Sequence, residues 1–272
     1  MLIVAIESAT DAAGVAIADE SGTIAVRSVS RGRRHAETIT PAILSCCESA
    51  GLSPRDFDAV AVDAGPGLFT GLRVGIATAK GLAYALGIPI LAVDSLELLA
   101  SATVSSATDS SATVSSATDS RVVPVIDARR KEVVSAQFSW RSGPDPATGG
   151  QGSDGSGTSR LSRESEDLLS TPEELAARLS ATGETARGLL VGDGALRYAD
   201  VLAGTGGWRI GPRWLASPPV NVLAEVGLAR ALRGDFDDPA AVLPRYVRQA
   251  DTRINWSTRS PREGSGPPER AT

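Results

Sequence analysis

The sequence predicts a two-lobed α/β protein in which mixed sheets are flanked by helices. Residues 58–86 read as a strand, a glycine-rich turn and a long helix in direct succession. Short runs rich in Val, Ile and Ala precede that unit, and strand and helix patterns alternate after it. A chain of 272 residues with 42% hydrophobic content can bury one large core or two smaller ones, and two are expected.

Within residues 58–86, Val60 and Val62 alternate along the strand. Gly65, Pro66 and Gly67 end it, since proline cannot extend a sheet and glycine admits backbone angles closed to other residues. Leu72, Ile76, Ala79, Ala83 and Leu86 then recur on one helical face. Gly71, Gly75, Thr78 and Gly81 keep the opposite face thin, where another helix or a ligand can come close. Residues 2–9, 14–18 and 23–29 predict three antiparallel strands in a meander. Residues 35–50 predict a helix with Ile39, Ile43, Cys46 and Ala50 on one stripe, stopped by Gly51 and either kinked or begun at Pro41. A strand at 88–93 and a short helix from Ser95 follow. The order β-β-β-α-β-α-β-α is that of the ribonuclease-H-like lobe.

This first lobe is assigned residues 1–100 and is joined by a C-terminal helix at about 219–250, with its strongest pattern over 220–232. Residues 101–110 recur unchanged at 111–120; one polar decapeptide copy cannot build a solenoid, so an inserted surface segment, mobile or weakly helical, is expected. A second, smaller lobe covers 121–218. It should hold a hairpin of 122–126 and 132–140 across 127–131, a flexible loop at 143–159, and a helix opened by the capping box Thr171-Pro172-Glu173-Glu174. A strand at 189–191 and a helix at 195–202 follow. Residues 251–272 are expected to be a disordered tail.

A net charge of −5 and a pI near 5.1 argue against a protein that grips nucleic acid unaided. Cys46 and Cys47 are adjacent, too close for an ordinary disulfide, and read as reduced thiols in a helix. No run reaches the ~18 apolar residues of a membrane span, and no basic leader precedes residues 2–6. A cytoplasmic protein without membrane association is expected.

His35 is the only histidine, which excludes a two-histidine zinc site; beside Arg31, Arg33 and Arg34 it reads as a surface residue at a helix start. A glycine turn feeding a helix N-terminus is a natural seat for phosphate, and Gly65, Gly67, Thr70 and Gly71 are its candidate residues. The spacing fits neither the P-loop nor the dinucleotide fingerprint, so a tight turn without a ligand is the plainer reading. Glu7, Asp63 and Asp94 at strand ends are candidates to hold Mg²⁺ for phosphodiester cleavage, as in a ribonuclease-H-like nuclease; the alternative is carboxylates facing solvent or a helix terminus. A small-molecule kinase with phosphates on the Gly65 turn is a further reading. No Gly-x-Ser-x-Gly elbow is present. No catalytic residue and no metal ligand are assigned.

Five segments together resemble the TsaB (YeaZ) family: Ala5-Ile6-Glu7-Ser8-Ala9-Thr10; His35-Ala36-Glu37 with Pro41; the glycine-rich block from Gly65 to Gly75; Ile126-Asp127-Ala128-Arg129 with Glu132-Val133; and Pro244-Arg245-Tyr246-Val247-Arg248. Gly-Pro-Gly-x-Phe-Thr-Gly is the most specific piece, and the resemblance covers about residues 1–250 apart from the repeat and the Gly/Ser loop. The chain departs from the family at Leu68, where many members have Ser, and at Glu7, where Asp is common. The resemblance implies an actin/Hsp70/sugar-kinase-like fold. It also implies a non-catalytic paralogue of TsaD that acts as scaffold with TsaD and the ATPase TsaE in placing threonylcarbamoyl on the adenosine next to the anticodon. The implied interface lies on two helices and is assigned to His35, Ile39, Ile43, Leu72, Gly75, Thr78 and Gly81. The implied partners are a TsaD-like paralogue, a TsaE-like ATPase, and tRNA only through the complex, with a homodimer as the alternative state when alone. No cofactor is assigned, with room left for an adenine nucleotide at the partner interface.

Overall fold

The computed structural model describes residues 1–29, 35–105, 119–142, 159–181 and 187–246. Arg31, Arg33, Arg34, residues 106–118 of the repeat, the loop at 143–158, Arg248 and the tail at 251–272 lie outside the described residues.

The first sheet forms from β1 (Ile3–Glu7), β2 (Ala13–Asp19), β3 (Gly22–Val29), β4 (Ala59–Asp63) and β5 (Ile90–Val93), in the order β3-β2-β1-β4-β5. The meander β1-β2-β3 is antiparallel, while β1, β4 and β5 run parallel. β1 and β4 are buried at every residue, as strands covered on both faces should be. Val4, Ile6, Val60 and Val62 face α1 (His35–Ala50) and α2 (Phe69–Leu86), where they meet Ile39, Ile43, Ile76 and Ala83. Ile3, Ala5 and Ala61 face the other way, toward α3 (Ser95–Ser105) and α7 (Val220–Leu232). Gly227 lets α7 lie close against Ala61. The two cysteines are buried in α1, and burial pushes both thiols up.

The second sheet comprises β6 (Asp119–Arg129), β7 (Glu132–Ser135), β8 (Phe138–Ser142), β9 (Ser159–Arg163), β10 (Leu168–Ser170), β11 (Arg187–Val191) and β12 (Gly207–Ile210). Its main path is β10-β7-β6-β11-β12, with β8 and β9 added beside the first half of β6. Helices α4 (Pro172–Ala181), α5 (Asp193–Arg197) and α6 (Ala199–Leu202) complete this lobe. The capping box is formed as expected: the Thr171 amide donates to Glu174 Oε2 at 2.9 Å and the Glu174 amide to Thr171 Oγ1 at 3.2 Å.

Several elements differ from expectation. The run 132–140 is two strands, because Ala136-Gln137 breaks it and β8 pairs with a different part of β6 than β7 does. Residues 101–105 are not a surface insertion: they finish α3, with Ala102 and Thr103 buried and Trp140 Nε1 donating to Thr103 Oγ1 at 3.0 Å. Strands β9, β10 and β12 were not expected. After α7, the strap 236–246 returns across the first sheet. The Asp237 amide donates to Ile90 O at 3.0 Å and the Arg245 amide to Ala64 O at 2.8 Å, so the strap covers the free edge of β5.

The tightest packing in the first lobe lies along α2. Gly67, Gly71 and Gly75 share one face at four-residue spacing, and the turn between β1 and β2 is pressed into it. A Cβ at Gly67 would overlap the Ala9 carbonyl, at Gly71 the Ser8 carbonyl, and at Gly75 the Ser8 hydroxyl. Gly81 has nothing within 4 Å of such a Cβ. Gly71→Ala should therefore cost about 3 kcal/mol in urea unfolding by forcing backbone apart. Gly81→Ala should be neutral or gain up to about 1 kcal/mol from helix propensity. Equal effects from both would contradict this packing.

Candidate functional site

The parallel strands β1 and β4 deliver Glu7 and Asp63 side by side at their C-terminal ends, with exposures of 2% and 0%. Glu7 Oε1 accepts the Ala9 amide at 2.8 Å, and Asp63 Oδ1 accepts the Gly65 amide at 2.7 Å and Ser95 Oγ at 2.5 Å. The second oxygens, Glu7 Oε2 and Asp63 Oδ2, are buried and meet no donor from any other residue, and the two carboxyls lie against each other. Two carboxylates can do this only with a proton between them. Burial, then the Asp63 charge, pushes Glu7 well above the ordinary glutamate value. Burial also raises Asp63, opposed by the hydrogen bonds it accepts from Glu7, Ser95 and Gly65. Glu7 therefore keeps the proton and donates it to Asp63.

Asp94 does not join them. Its Oδ1 caps α3 by accepting the Leu96 and Glu97 amides at 2.6 and 3.1 Å. Its Oδ2 takes Arg163 at 3.2 Å and Arg245. Arg163 and Arg245 also pair with Asp167, so this four-residue cluster links the first sheet, β9 and the strap. Among the described residues, no group of three or more His, Cys, Asp or Glu is arranged to hold a metal ion. The expected convergence of Glu7, Asp63 and Asp94 is thus corrected: the first two share a proton and the third is an ion-pair anchor.

The glycine turn is also committed within the chain. Gly65 is buried with φ 98°, and a Cβ there would press on Leu72 and the Arg245 carbonyl. The Leu68 amide donates to Ala9 O at 2.6 Å, and Ser8 Oγ donates to Gly71 O at 2.9 Å. Gly65, Gly67 and Gly71, read as a phosphate seat, are instead close-approach positions filled by the chain's own backbone. Of the four candidates only Thr70 is exposed, on a cleft of about 330 Å³ that also touches Phe69, Asp127, Arg129 and Tyr246.

The interface residues need a similar correction. His35, Ile39, Ile43 and Leu72 are 4%, 1%, 5% and 0% exposed, and Gly75 lies under Ser8. His35 is no surface residue: its Nε2 faces the Thr10 carbonyl at 2.9 Å, which can only accept, so Nε2 carries the proton. Only Thr78, half-buried, and Gly81, exposed, offer surface. The outward sides of α1 and α2 carry Leu44 and Tyr84 instead, 55% and 92% exposed.

Residues of the segments that carry the family resemblance meet at and beside this cleft. Arg73 stacks 3.7 Å over Phe69 and donates to the Tyr246 hydroxyl at 2.8 Å, while Tyr246 stacks on Phe69 at 4.9 Å. Asp193, pushed up to about 6 by burial, accepts the Asp127 amide at 2.9 Å. Asp127 itself pairs with Arg129 and Arg197 at 3.2 and 3.4 Å. Arg129, Arg130 and Lys131 form the β6–β7 turn with φ of 65°, 53° and 61°, a strained run for residues with a Cβ. The sequence marked Asp127, Arg129 and Tyr246 only through the family resemblance and gave no sign of their contacts, and Asp193 carried no signal.

A β-β-β-α-β-α-β-α lobe with parallel strands ending in buried carboxyls, joined to a second mixed sheet, defines the actin/Hsp70/sugar-kinase-like class. The profile of the tRNA N6-adenosine threonylcarbamoyltransferase family, TsaD, matches residues 27–147. The tRNA threonylcarbamoyladenosine biosynthesis protein TsaB of Bacillus subtilis is 32% identical over 143 residues, 53% of this chain and 57% of that protein. TsaB of Escherichia coli is 35% identical over 138 residues, 51% and 55% of the two chains. The solved structure of YeaZ from Pseudomonas aeruginosa superposes with a TM-score of 0.67 at 25% identity, covering 90% of this chain and 99% of that one. The chain is thus similar in sequence to TsaB proteins and in fold to YeaZ. It spans a little over half the length of the curated relatives it matches. No helix among the described residues is long and apolar enough to cross a membrane.

The carboxyl pair dictates a pH dependence. Glu7 binds its proton more tightly folded than unfolded, so stability is full below the ordinary value of 4.5 and falls as pH rises toward the folded value. The decline should approach about 1.4 kcal/mol per pH unit within that window. Asp193 adds a decline of the same sign between 3.8 and about 6. Glu7→Gln retains a donor to Asp63 without the ionisation, so its thermal melts should fall less steeply than those of wild type as pH rises above 4.5. Parallel slopes would contradict the shared proton.

Proposed function

We propose that this chain is the scaffold subunit of a tRNA threonylcarbamoylation complex. It pairs with a TsaD-like catalytic paralogue, works with a TsaE-like ATPase, and contributes no catalytic group. The names of the relatives support the pathway. The observation that carries the scaffold reading is the Ser8–Thr10 turn lying in the glycine face of α2, where a kinase reading needs phosphate. The nuclease reading loses its third carboxylate to Arg163 and Arg245. An adenine nucleotide, in this scheme, belongs at the partner interface and not in the Gly65 turn.

The docking surface in this proposal is the outward side of α1 and α2, where Leu44 and Tyr84 expose apolar surface beside Thr78 and Gly81. Buried aromatic anchors at the centre of an interface commonly carry about 2 kcal/mol or more each. The same face would serve a homodimer when the partner is absent. Mixed with TsaD from the same organism, the wild type should form a stable complex by light scattering. Tyr84→Glu and Gly81→Arg should each weaken it by about 30-fold or more with melting unchanged. Gly75 is unsuitable as a probe, because its substitution would disturb Ser8 inside the chain. Full retention of the complex by both variants would refute the assigned face. Failure of the wild type to bind, with TsaE and ATP also present, would refute the scaffold role.

A further inference from the structure

Beside the filled glycine trough, the first turns of α2 carry an ordered cation. The Arg73 guanidinium lies 3.7 Å over the Phe69 ring and 5.9 Å from the centre of the Tyr246 ring, and its Nε donates to the Tyr246 hydroxyl at 2.8 Å. Its two Nη groups meet no acceptor among the described residues, and the residue is exposed. A surface arginine ordinarily loses rotamer freedom when it binds; here two rings and a hydroxyl have already fixed it, with the fork of Nη groups open to a carboxylate. Phe69 and Tyr246, 40% and 39% exposed, also line the cleft of about 330 Å³, where Pro66, Ile126 and Val134 complete apolar walls. Arg73 thus stands at the rim of an apolar cleft. Among the described residues, the charged ones lining that cleft are Asp127 and Arg129, which pair at 3.2 Å. Arg197 lies 3.4 Å from Asp127, and Asp11 lies 3.5 Å from Arg129. Those four charges cancel, and Arg73 is left over. Leu68, at the N-cap of α2, supplies no side-chain acceptor, so the positive end of the helix adds to it.

We propose that Arg73 and the cleft together dock a short acidic segment of a partner protein. A carboxylate of the segment sits on the open guanidinium fork, and a neighbouring apolar side chain enters the cleft between Phe69, Tyr246 and Ile126. Two observations favour a protein segment over a small acid. The half-exposed rings leave the site open on one side, whereas small-molecule pockets bury most of their ligand. Arg, Tyr and Phe clustered on a surface are also the residues enriched at protein interfaces. The chain's own residues 247–272 suit the site poorly, with five arginines against three acidic side chains. The inference goes beyond the scaffold reading and is tested on the chain alone, so the two stand or fall separately.

The test is fluorescence anisotropy with the full chain and a labelled, end-capped peptide reading Gly-Ser-Asp-Phe-Asp-Leu-Ser-Gly. Wild type should bind it about tenfold or more tightly than the same peptide with lysine for aspartate, or with serine for phenylalanine and leucine. Arg73→Gln should weaken binding about tenfold, and Arg73→Lys by less, since it keeps the charge and loses the fork. Thr70→Trp, which fills the exposed mouth of the cleft, should weaken binding to a similar extent as Arg73→Gln. Matching circular dichroism melts would show the variants folded. No binding by wild type, equal affinity for the three peptides, or unchanged binding by Arg73→Gln and Thr70→Trp overturns the proposal. Displacement of the probe by equimolar phenylacetate would assign the site to small acids. Displacement by a synthetic peptide of residues 247–272 would assign it to the chain's own C-terminal segment. Either displacement also overturns the proposal.

Discussion

The first lobe depends on the close approach of the β1–β2 turn to α2. Three glycines at four-residue spacing remove the side chains that would hold them apart, and the turn supplies both the backbone and the Ser8 hydroxyl that fill the trough. His35 clamps the far end through Thr10, which ties the start of α1 to the same turn. Three segments far apart in sequence are thereby held at one point, directly beside the ends of β1 and β4. The arrangement uses up the polar backbone that a phosphate would otherwise meet, so the tight local geometry and the filling of the predicted phosphate seat have one physical origin.

A second consequence is electrostatic. Fixing the ends of β1 and β4 together puts Glu7 against Asp63 without solvent, and only a shared proton makes that tolerable. The remaining charge at the strand ends is carried outward by Asp94 to Arg163 and Arg245, where it joins the first sheet to β9 and to the strap. Across the cleft, Arg129 lies 3.5 Å from Asp11 in the β1–β2 turn. These charges are spent between the chain's own elements. Leu44 on α1 and Tyr84 on α2 leave apolar surface facing outward.

Much of this was legible in the sequence, and the failures share a cause. The strand, turn and helix at 58–86 and the Thr171 capping box announce themselves through local periodicity and cap chemistry, which need no tertiary context. The glycine face was legible as a place of close approach, but what approaches it lies some sixty residues upstream and leaves no local mark. His35, Ile39, Ile43 and Leu72 were assigned to an interface through the family resemblance, which names helices without saying which of their side chains the chain's own core takes. Strand β9, Ser-Arg-Leu-Ser-Arg, has one apolar residue, and only its pairing with β8 makes it a strand. Residues 101–105 are helical because Trp140 and the core receive Thr103 and Ala102, a reason invisible in a polar decapeptide.

Native-state hydrogen exchange at the Leu68 amide would show whether the β1–β2 turn stays seated in the glycine face. That amide donates to Ala9 O at 2.6 Å, so its protection reports on the contact between the turn and the start of α2. A permanently seated turn predicts protection comparable to the amides of β1 and β4, with exchange governed by global unfolding. Rapid exchange of Leu68 in an otherwise protected lobe would mean that the turn lifts away. The glycine trough would then be open to a ligand, contrary to the arrangement described above.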